Sequence, residues 1–482
     1  MQVSDAVKQA YIDNSIKKHL IIYFPELNYT VPMDQVYADS MRLNESLSDS
    51  QSIEFVGCIA SKFQVSIRDF GVNVKGKKIY ASIRTDDPEY PDDPQHLMDP
   101  IPLFCGIVDE VKMQSNHRIK EIIAYDELYT KGNKDVSSWY KHLPFGKNGM
   151  TLGDIRRSLL QTMGLSYTEK TLPNDSIKIK KQYNPSSLQA LAVLKSICQI
   201  NGVFGMISRE HDNNYNGIFK FISVPDIVEI EGAFPGPTLY PPFYPGLEGS
   251  GSFIPSTEEA VSHYRSLNYQ EYSVKPVEMV IVRQSSEDDG GSFGIGDNKY
   301  IIQGNMFTLK FKQKALDDIA MRIYTNVQGF SYVPYTINND GFPWIECGQS
   351  TVDCVVYDFN NSTASTDVYE ERHFHILNRN MSGIQNLKDE YSAQGDEYQR
   401  EFVSDIGVNI DVIQRNIQKS LEEYVDNSID EYNDYVEDNY YDKEYIDNLP
   451  IGEGWSVESV DQLPPSGQDQ VLYLIQGEVV VD

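Results

Sequence analysis

The chain has 482 residues, of which 40% are hydrophobic, so it can bury a core across roughly three or four domains. Its formal net charge of -30 argues against nucleic-acid binding through the general surface, because such binding neutralises phosphates with Lys and Arg. No apolar run reaches the ~20 residues of a membrane-spanning helix, and the first residues lack the layout of a signal peptide.

The five cysteines are scattered, odd in number and without CxxC spacing, which predicts reduced thiols that pack as small hydrophobes. They are Cys58, Cys105, Cys198, Cys347 and Cys354. Cys58 follows a serine-rich stretch where the chain enters a predicted strand. No Cys–His arrangement is evident near it, so we do not expect a catalytic thiol.

Residues 1–135 read as a β domain. In "KFQVSIRDF" the side chains of Phe63, Val65 and Ile67 alternate with polar ones, which is the period of a half-buried strand. "KKIYASI" repeats the pattern after a glycine-containing turn, and "EIIAYDELYT" continues it. The proline-rich, acidic stretch 86–100 predicts a loop.

Residues 136–232 predict a small α/β domain. Thr151 and Asp154 form a near capping box before an apolar helical stripe, and Gly164 ends that helix. A second helix follows, with Ser186 or Ser187 as its expected cap, and "GIFKFISV" predicts a strand. Pro and Gly are then so frequent that residues 233–262 predict an extended linker.

Residues 263–382 return to short strands, interrupted by one predicted helix at "KALDDIAMRIYTNVQG". The glycine-rich stretch 288–298 lacks a preceding buried parallel strand and a following helix, so we interpret it as a hairpin loop and not a phosphate site. His373 and His375 share one side of a strand, but no third metal ligand can be named, so no metal site is predicted.

An apolar stripe at steps of three, four or seven residues predicts a long coiled-coil helix over residues 383–448. Isoleucine at successive stripe positions disfavours two strands and favours a trimer. The candidate trimer-interface residues are Ile406, Ile410, Ile413, Ile417 and Leu421. Beyond Pro450, "VLYLIQGEVVVD" predicts a short β tip over residues 449–482, as a hairpin or a single strand.

Several segments resemble one family. "IPLFCGIVDEVKMQSNHRIKEIIAYDELY", "YSVKPVEMVIVRQ" and "LNRNMSGIQNLKDEYSAQGDEY" are similar to tail hub proteins of long-tailed phages and prophages of Gram-positive bacteria. Further similar segments are "NESLSDSQSIEFVGCIASKFQVSI", "ICQINGVFGMISRE", "LYPPFYPG" and "YIIQGN". All keep the family's order over about residues 20 to 400. Members are also called tail-associated lysins or prophage tail endopeptidases.

The resemblance implies an α+β, mainly β, hub fold like that of the baseplate central hub, with two tail-tube-like β-barrel domains around the small α/β insert. It implies a homotrimer at the distal tip of the virion tail, with pseudo-sixfold symmetry. The implied partners are the distal tail protein, the tape measure protein, receptor-binding or tail-fibre proteins and the host cell surface. DNA would pass through without specific binding, and no cofactor is implied.

The chain departs from the lysin-bearing members of that family. Only residues 449–482 follow the predicted helix, which leaves no space for a hydrolase domain. HExxH and GxSxG motifs are also absent from the sequence, so we do not expect an enzyme. The alternatives are a tail-associated cell-wall peptidase or glycosidase and a carbohydrate-binding adhesin.

Overall fold

The computed structural model describes residues 4, 7, 10–11, 16–37, 39–48, 55, 57–90, 96–114, 118–180, 185–223, 228–229, 264–285, 288–357, 368–398, 401–404, 456–460 and 471–475. The chain divides into two units, Met1–Ile413 and Gln414–Asp482. The described residues are mainly strands with few helices, as the sequence predicts. Within the described ranges, no helix is both long and apolar enough to cross a membrane.

In the first unit, the strands of the amino-terminal part are β1 Lys18–Phe24, β2 Tyr29–Val31, β3 Arg42–Ser46, β4 Lys62–Arg68, β5 Lys78–Thr85, β6 Ile101–Met113 and β7 Ile119–Tyr125. The α/β part contains β8 Met150–Thr151, β9 Ser166–Tyr167, β10 Lys178–Ile179, β11 Val203–His211 and β12 Gly217–Ser223. The described helices are α1 Glu127–Gly132, α2 Ser137–Lys141, α3 Leu152–Met163, α4 Ala190–Asn201 and α5 Gln313–Val327.

The later strands of this unit are β13 Val228–Glu229, β14 Tyr264–Tyr269, β15 Met279–Arg283, β16 Gly291–Gly294, β17 Lys299–Gln303, β18 Tyr335–Asp340, β19 Gln349–Tyr357, β20 Val368–His375, β21 Asn378–Ser382, β22 Lys388–Ala393 and β23 Glu401–Ser404. The second unit contributes β24 Ser456–Val460 and β25 Val471–Ile475.

One antiparallel sheet joins the two predicted β domains. Its order is β14-β18-β22-β21-β3-β4-β7-β6-β5-β1-β2, so strands of residues 18–125 continue directly into strands of residues 264–393. No ladder closes this sheet among the described residues, so the expected barrels are not closed there. Between β2 and β3, the isolated bridge Val36–Ile67 joins the described chain to β4. Pro32 directly follows β2 and has no backbone N–H to donate to the ladder, and a 3₁₀ turn begins after it.

Alternating side chains explain the strands of the amino-terminal part. In β4 the predicted residues Phe63, Val65 and Ile67 are buried, and the side chains between them are half-buried. Phe63 stacks on Phe104 of β6 with ring centroids 5.2 Å apart. The predicted strand "EIIAYDELYT" holds only as far as Tyr125. Asp126 then accepts the backbone N–H of Leu128 and caps helix α1.

The α/β part follows its predicted signals closely at α3. Thr151 accepts the backbone N–H of Asp154 at 3.1 Å, and Gly164 ends the helix in the left-handed region with φ 74°. Helix α4 begins later than predicted: Gln189 is its N-cap residue and makes no side-chain capping bond. The expected serine caps were therefore wrong. The predicted strand over 217–224 is confirmed as β12, paired with β11.

The remaining parts of the first unit are two smaller sheets. Helix α5, predicted from residue 314, packs against β15 and β16 of the sheet β16-β15-β17-β23. The other sheet has the order β13-β19-β20. The glycine-rich stretch expected to be a loop instead contains β16, which pairs antiparallel with β15. The partly buried strand β15 precedes that stretch and lies parallel to β17. The strand β17, and not a helix, follows it.

The helix predicted over residues 383–448 is wrong at its beginning. Residues 388–393 and 401–404 are the strands β22 and β23. Asp389, Tyr391 and Ala393 are buried and alternate with more exposed neighbours, so the local period is two and not the helical 3.6. Residues 405–448 and the predicted linker 233–262 lie outside the described residues.

In the second unit, β24 and β25 pair in parallel, with Ser456 opposite Val471. The sequence predicts either a hairpin or a single strand at the tip. A hairpin requires antiparallel strands, so β24 and β25 do not form that hairpin.

Candidate functional site

The pairing of β3 with β21 is where the two halves of the large sheet meet, and we call this pair the seam. The strands are antiparallel, with Glu45 opposite Arg379 and Asn44 opposite Asn380. Because side chains alternate along a strand, Glu45 and Arg379 face inward while Asn44 and Asn380 face outward. The seam therefore has a charged inner side and an amide-rich outer side.

Four charged side chains lie together on the inner side of the seam and form what we call the charge cluster. They are Glu45, Arg209, Arg379 and Asp389, each at most 4% exposed. Arg209 Nε donates to Glu45 Oε1 at 3.0 Å, and Arg379 Nη1 lies 3.3 Å from Glu45 Oε2. Arg379 Nε donates to Asp389 Oδ1 at 2.8 Å. Two cations thus neutralise two carboxylates away from water.

Backbone carbonyl groups satisfy further guanidinium donors of the cluster. Arg379 donates to the carbonyl oxygens of Phe342, at 3.0 Å, and Ile345. Arg209, which comes from β11, donates to the carbonyl oxygen of Pro343. The two arginines therefore hold the loop 342–345 against the seam, and they link β11 of the α/β part to strands of both sheet halves.

The cluster's carboxyl groups have perturbed pKa values. Burial raises the pKa of Glu45 to about 7 against the opposing effect of Arg379. Burial also raises the pKa of Asp389, which Arg379 again opposes. Nearby, burial and the charge of Glu45 raise the pKa of Glu346 to about 7. The arrangement places charged side chains in a dry interior and connects β3, β11, the loop 342–345, β21 and β22.

The outer side of the seam is a polar ladder. Asn44 Nδ2 donates to Asn380 Oδ1 at 2.6 Å, and Asn380 Nδ2 donates to Glu390 Oε1 at 2.9 Å. A shallow pocket of about 310 Å³ lies over it, lined by Asn44, Glu45, Ser46, Ile59, Ala60, Asn378, Asn380 and Ser392. Side-chain hydrogen bonds thus reinforce the backbone ladder at the junction.

The sequence-predicted site residues fall in three groups. The candidate trimer-interface residues, Ile406, Ile410, Ile413, Ile417 and Leu421, lie outside the described residues, so that interface stays a prediction. Cys58 is buried beside Cys198. His375 stacks on Phe330 with ring centroids 4.7 Å apart, and the side chain of His373 is outside the described part. Over the described ranges, no three His, Cys, Asp or Glu side chains come together to hold a metal ion.

Sequence reasoning missed the charge cluster, although a signal was present. Glu45 has the same parity in its strand as the buried Leu43, and Arg379 has the same parity as the buried Met381. A charged residue in register with buried apolar ones must find a buried counter-charge. The partners themselves are far away in sequence, so the pairing could not be assigned without the fold.

Comparison with known proteins finds similar solved structures, and three of them are described below. No protein-family model and no curated protein matches the chain. A tail protein from Neisseria meningitidis MC58 is 10% identical with a TM-score of 0.41, covering 80% of this chain and 100% of that one. The 43 kDa tail protein of prophage MuSo2 from Shewanella oneidensis is 10% identical with a TM-score of 0.40, covering 78% and 97%.

The third structure is prophage tail protein gp18 from Listeria monocytogenes EGD-e. It is 10% identical with a TM-score of 0.38, covering 84% of this chain and 99% of that one. TM-scores below 0.5 are too low for these likenesses to carry an argument about the chain.

Proposed function

We propose that the chain is a structural protein of a phage or prophage-derived tail, a homotrimeric hub at the distal end of the tail tube. In this role it attaches the particle to the host surface and lets DNA pass. The segments quoted above, which resemble the tail hub family in series, support this proposal from the sequence. The continuous sheet, in which the charge cluster lies at the seam, supports the proposal from the structure, because a ring component must hold its two halves in one fixed geometry.

The sheet is the observation that carries the proposal. Its outermost strands, β14 and β2, have no second strand partner among the described residues. Unpaired backbone groups at sheet edges invite pairing with other chains, so proteins cover or pair them. Copies arranged around a threefold axis would supply such cover. The isoleucine stripe would add a threefold contact of its own.

The net charge of -30 fits the proposed conduit, since carboxylates repel the phosphates of passing DNA. The partners in this proposal are the distal tail protein, the tape measure protein and receptor-binding or tail-fibre proteins. The proposed location is the distal tip of the virion tail.

Mass photometry of the purified full chain tests the trimer. We expect particles of three times the chain mass, and a variant with Ile410→Asp and Ile413→Asp that dissociates, because charges buried on the axis cost several kcal/mol. The matched control is Ile295→Asp, since Ile295 is 95% exposed and lies outside the stripe. If the double variant stays trimeric, the isoleucine stripe is not part of the trimer interface. If the wild-type chain is monomeric, the hub proposal is refuted.

We also propose that the chain has no cell-wall hydrolase activity. Incubation of the full chain with Gram-positive cell walls tests this directly. Release of soluble wall fragments would favour the peptidase or glycosidase alternative, and binding to a glycan array without release would favour the adhesin.

A further inference from the structure

Two buried thiols meet inside the first unit. The sulfur atoms of Cys58 and Cys198 are 3.6 Å apart, within reach of a thiol–thiol hydrogen bond. Cys58 is 2% exposed and Cys198 is fully buried. Cys58 lies just before β4, whereas Cys198 lies in helix α4 of the α/β part, 140 residues further along the chain. The contact therefore joins two separate parts of the fold.

The backbone around Cys58 has an unusual form that brings the thiols together. Cys58 has a φ of 60°, in the left-handed region that residues other than glycine rarely adopt. Its N–H donates to the carbonyl oxygen of Gly205 at 2.6 Å, and Gly57 forms a bridge with Gly205. A Cβ at Gly205 would lie 2.6 Å from the Cys58 sulfur and 3.2 Å from the Cys198 sulfur. The thiols thus meet over a position that has space only for glycine.

We propose that Cys58 and Cys198 are a cross-link site, where hydrogen peroxide converts the two thiols into an intramolecular disulfide. The sulfur atoms must approach by about 1.5 Å to reach the bond length of a disulfide. This proposal goes beyond the tail role and does not depend on the oligomeric state. It changes the expectation from sequence that the cysteines are only small hydrophobes.

The chemistry balances in two steps. The sulfur of Cys58 attacks one oxygen of hydrogen peroxide, the O–O bond breaks, and a sulfenic acid and one water form. The sulfur of Cys198 then attacks the Cys58 sulfur, the S–O bond breaks, and a second water leaves with the Cys198 proton. Burial raises the pKa of Cys198, so Cys198 stays protonated until the second step. The two thiols lose two electrons, and one peroxide becomes two waters.

The cross-link has a structural consequence. It fixes the entrance of β4 to helix α4 and closes a loop of about 140 residues, and disulfides that close longer loops restrict the unfolded chain more. The oxidised chain should therefore unfold at higher urea concentration than the reduced chain.

The test treats the folded full-length chain with hydrogen peroxide, blocks free thiols in denaturant and maps the peptides without reductant. We expect the free thiols per chain to fall from five to three, with one linked peptide pair that joins residues 58 and 198. Dithiothreitol should restore all the thiols. A higher urea midpoint for the oxidised chain completes the expected result.

Three variants separate the cross-link from general oxidation. The Cys58→Ser and Cys198→Ser variants should each keep all their remaining free thiols under the same peroxide treatment. Circular dichroism checks that both variants fold. Cys105→Ser is the matched control, because Cys105 is also buried but should not affect the link. The peptide map of the unmodified chain decides the matter even if a variant fails to fold. Peroxide treatment that gives no 58–198 link, links other cysteines or gives only sulfinic acid overturns the proposal.

Discussion

Replacement of Arg379 by Met tests whether the charge cluster holds the seam together. Arg379 is fully buried, and its guanidinium donates to Asp389, Glu45 and the carbonyl oxygens of the 342–345 loop. Methionine keeps much of the volume but leaves the carboxylate of Asp389 buried without its cation. It also removes the guanidinium donor of the Ile345 carbonyl group, whereas the Phe342 carbonyl group keeps the backbone N–H of Ile345.

The expected loss is large on the scale of single substitutions. Removal of one partner from a buried ion pair costs about 3–5 kcal/mol, because the remaining charge stays desolvated. The matched control is Arg157→Met, which makes the same chemical change on the surface. Arg157 pairs with Asp154 at 2.6 Å, but their side chains are 41% and 49% exposed. We therefore expect that control to cost about 0–1 kcal/mol.

Urea unfolding followed by tryptophan fluorescence measures both variants. Trp344 is 7% exposed and lies against Phe342, whose carbonyl oxygen accepts from Arg379, so it reports on this region. Arg379→Met combined with Asp389→Asn should recover part of the loss, because the second change removes the unpaired charge while Glu45 keeps Arg209. If Arg379→Met costs no more than Arg157→Met, the cluster does not hold the seam.

Two further predictions concern a helix cap and pH. Thr151→Ala should destabilise by about 0.5–2 kcal/mol in urea unfolding, since it removes the cap of α3, whereas Ser187→Ala, which caps nothing, should be neutral. Because burial raises the pKa of Glu346 to about 7, protonation of Glu346 favours the folded chain. This stabilisation is complete below the ordinary pKa of Glu346 and is lost as pH rises through 7, so the urea midpoint should fall between about pH 5 and pH 8. Glu346→Gln should flatten that fall, and an unchanged slope would contradict the assignment.

Local signals in the sequence were enough to predict the short elements. The alternation in "KFQVSIRDF" gives the buried face of β4, and Thr151 with Gly164 gives both ends of α3. These features depend on neighbours within one strand or one helix, which the sequence displays directly. At α4 the local signal failed, because Gln189 begins the helix without a side-chain cap while the serines lie before Leu188.

The helical interpretation of residues 383–404 failed for a different reason. Ile384, Leu387 and Tyr391 are spaced as on a helix, and each is buried. Tyr391 faces inward because β22 pairs with both β18 and β21, and this pairing gives the segment its period of two. When an apolar pattern fits both the helical and the strand period, pairing with distant strands determines which structure forms. Those strands cannot be identified from local spacing.

The continuous sheet changes how the two halves of the chain should be viewed. Two independent β domains could shift against each other, whereas strands in one ladder cannot separate at the seam without breaking backbone hydrogen bonds. Nor can they separate without exposing the charge cluster, in which Glu45 of one half faces Arg379 of the other. An apolar seam would tolerate sliding by two residues, but a buried ion pair with fixed partners penalises any change of register. The cluster therefore specifies the alignment of the two halves of the sheet.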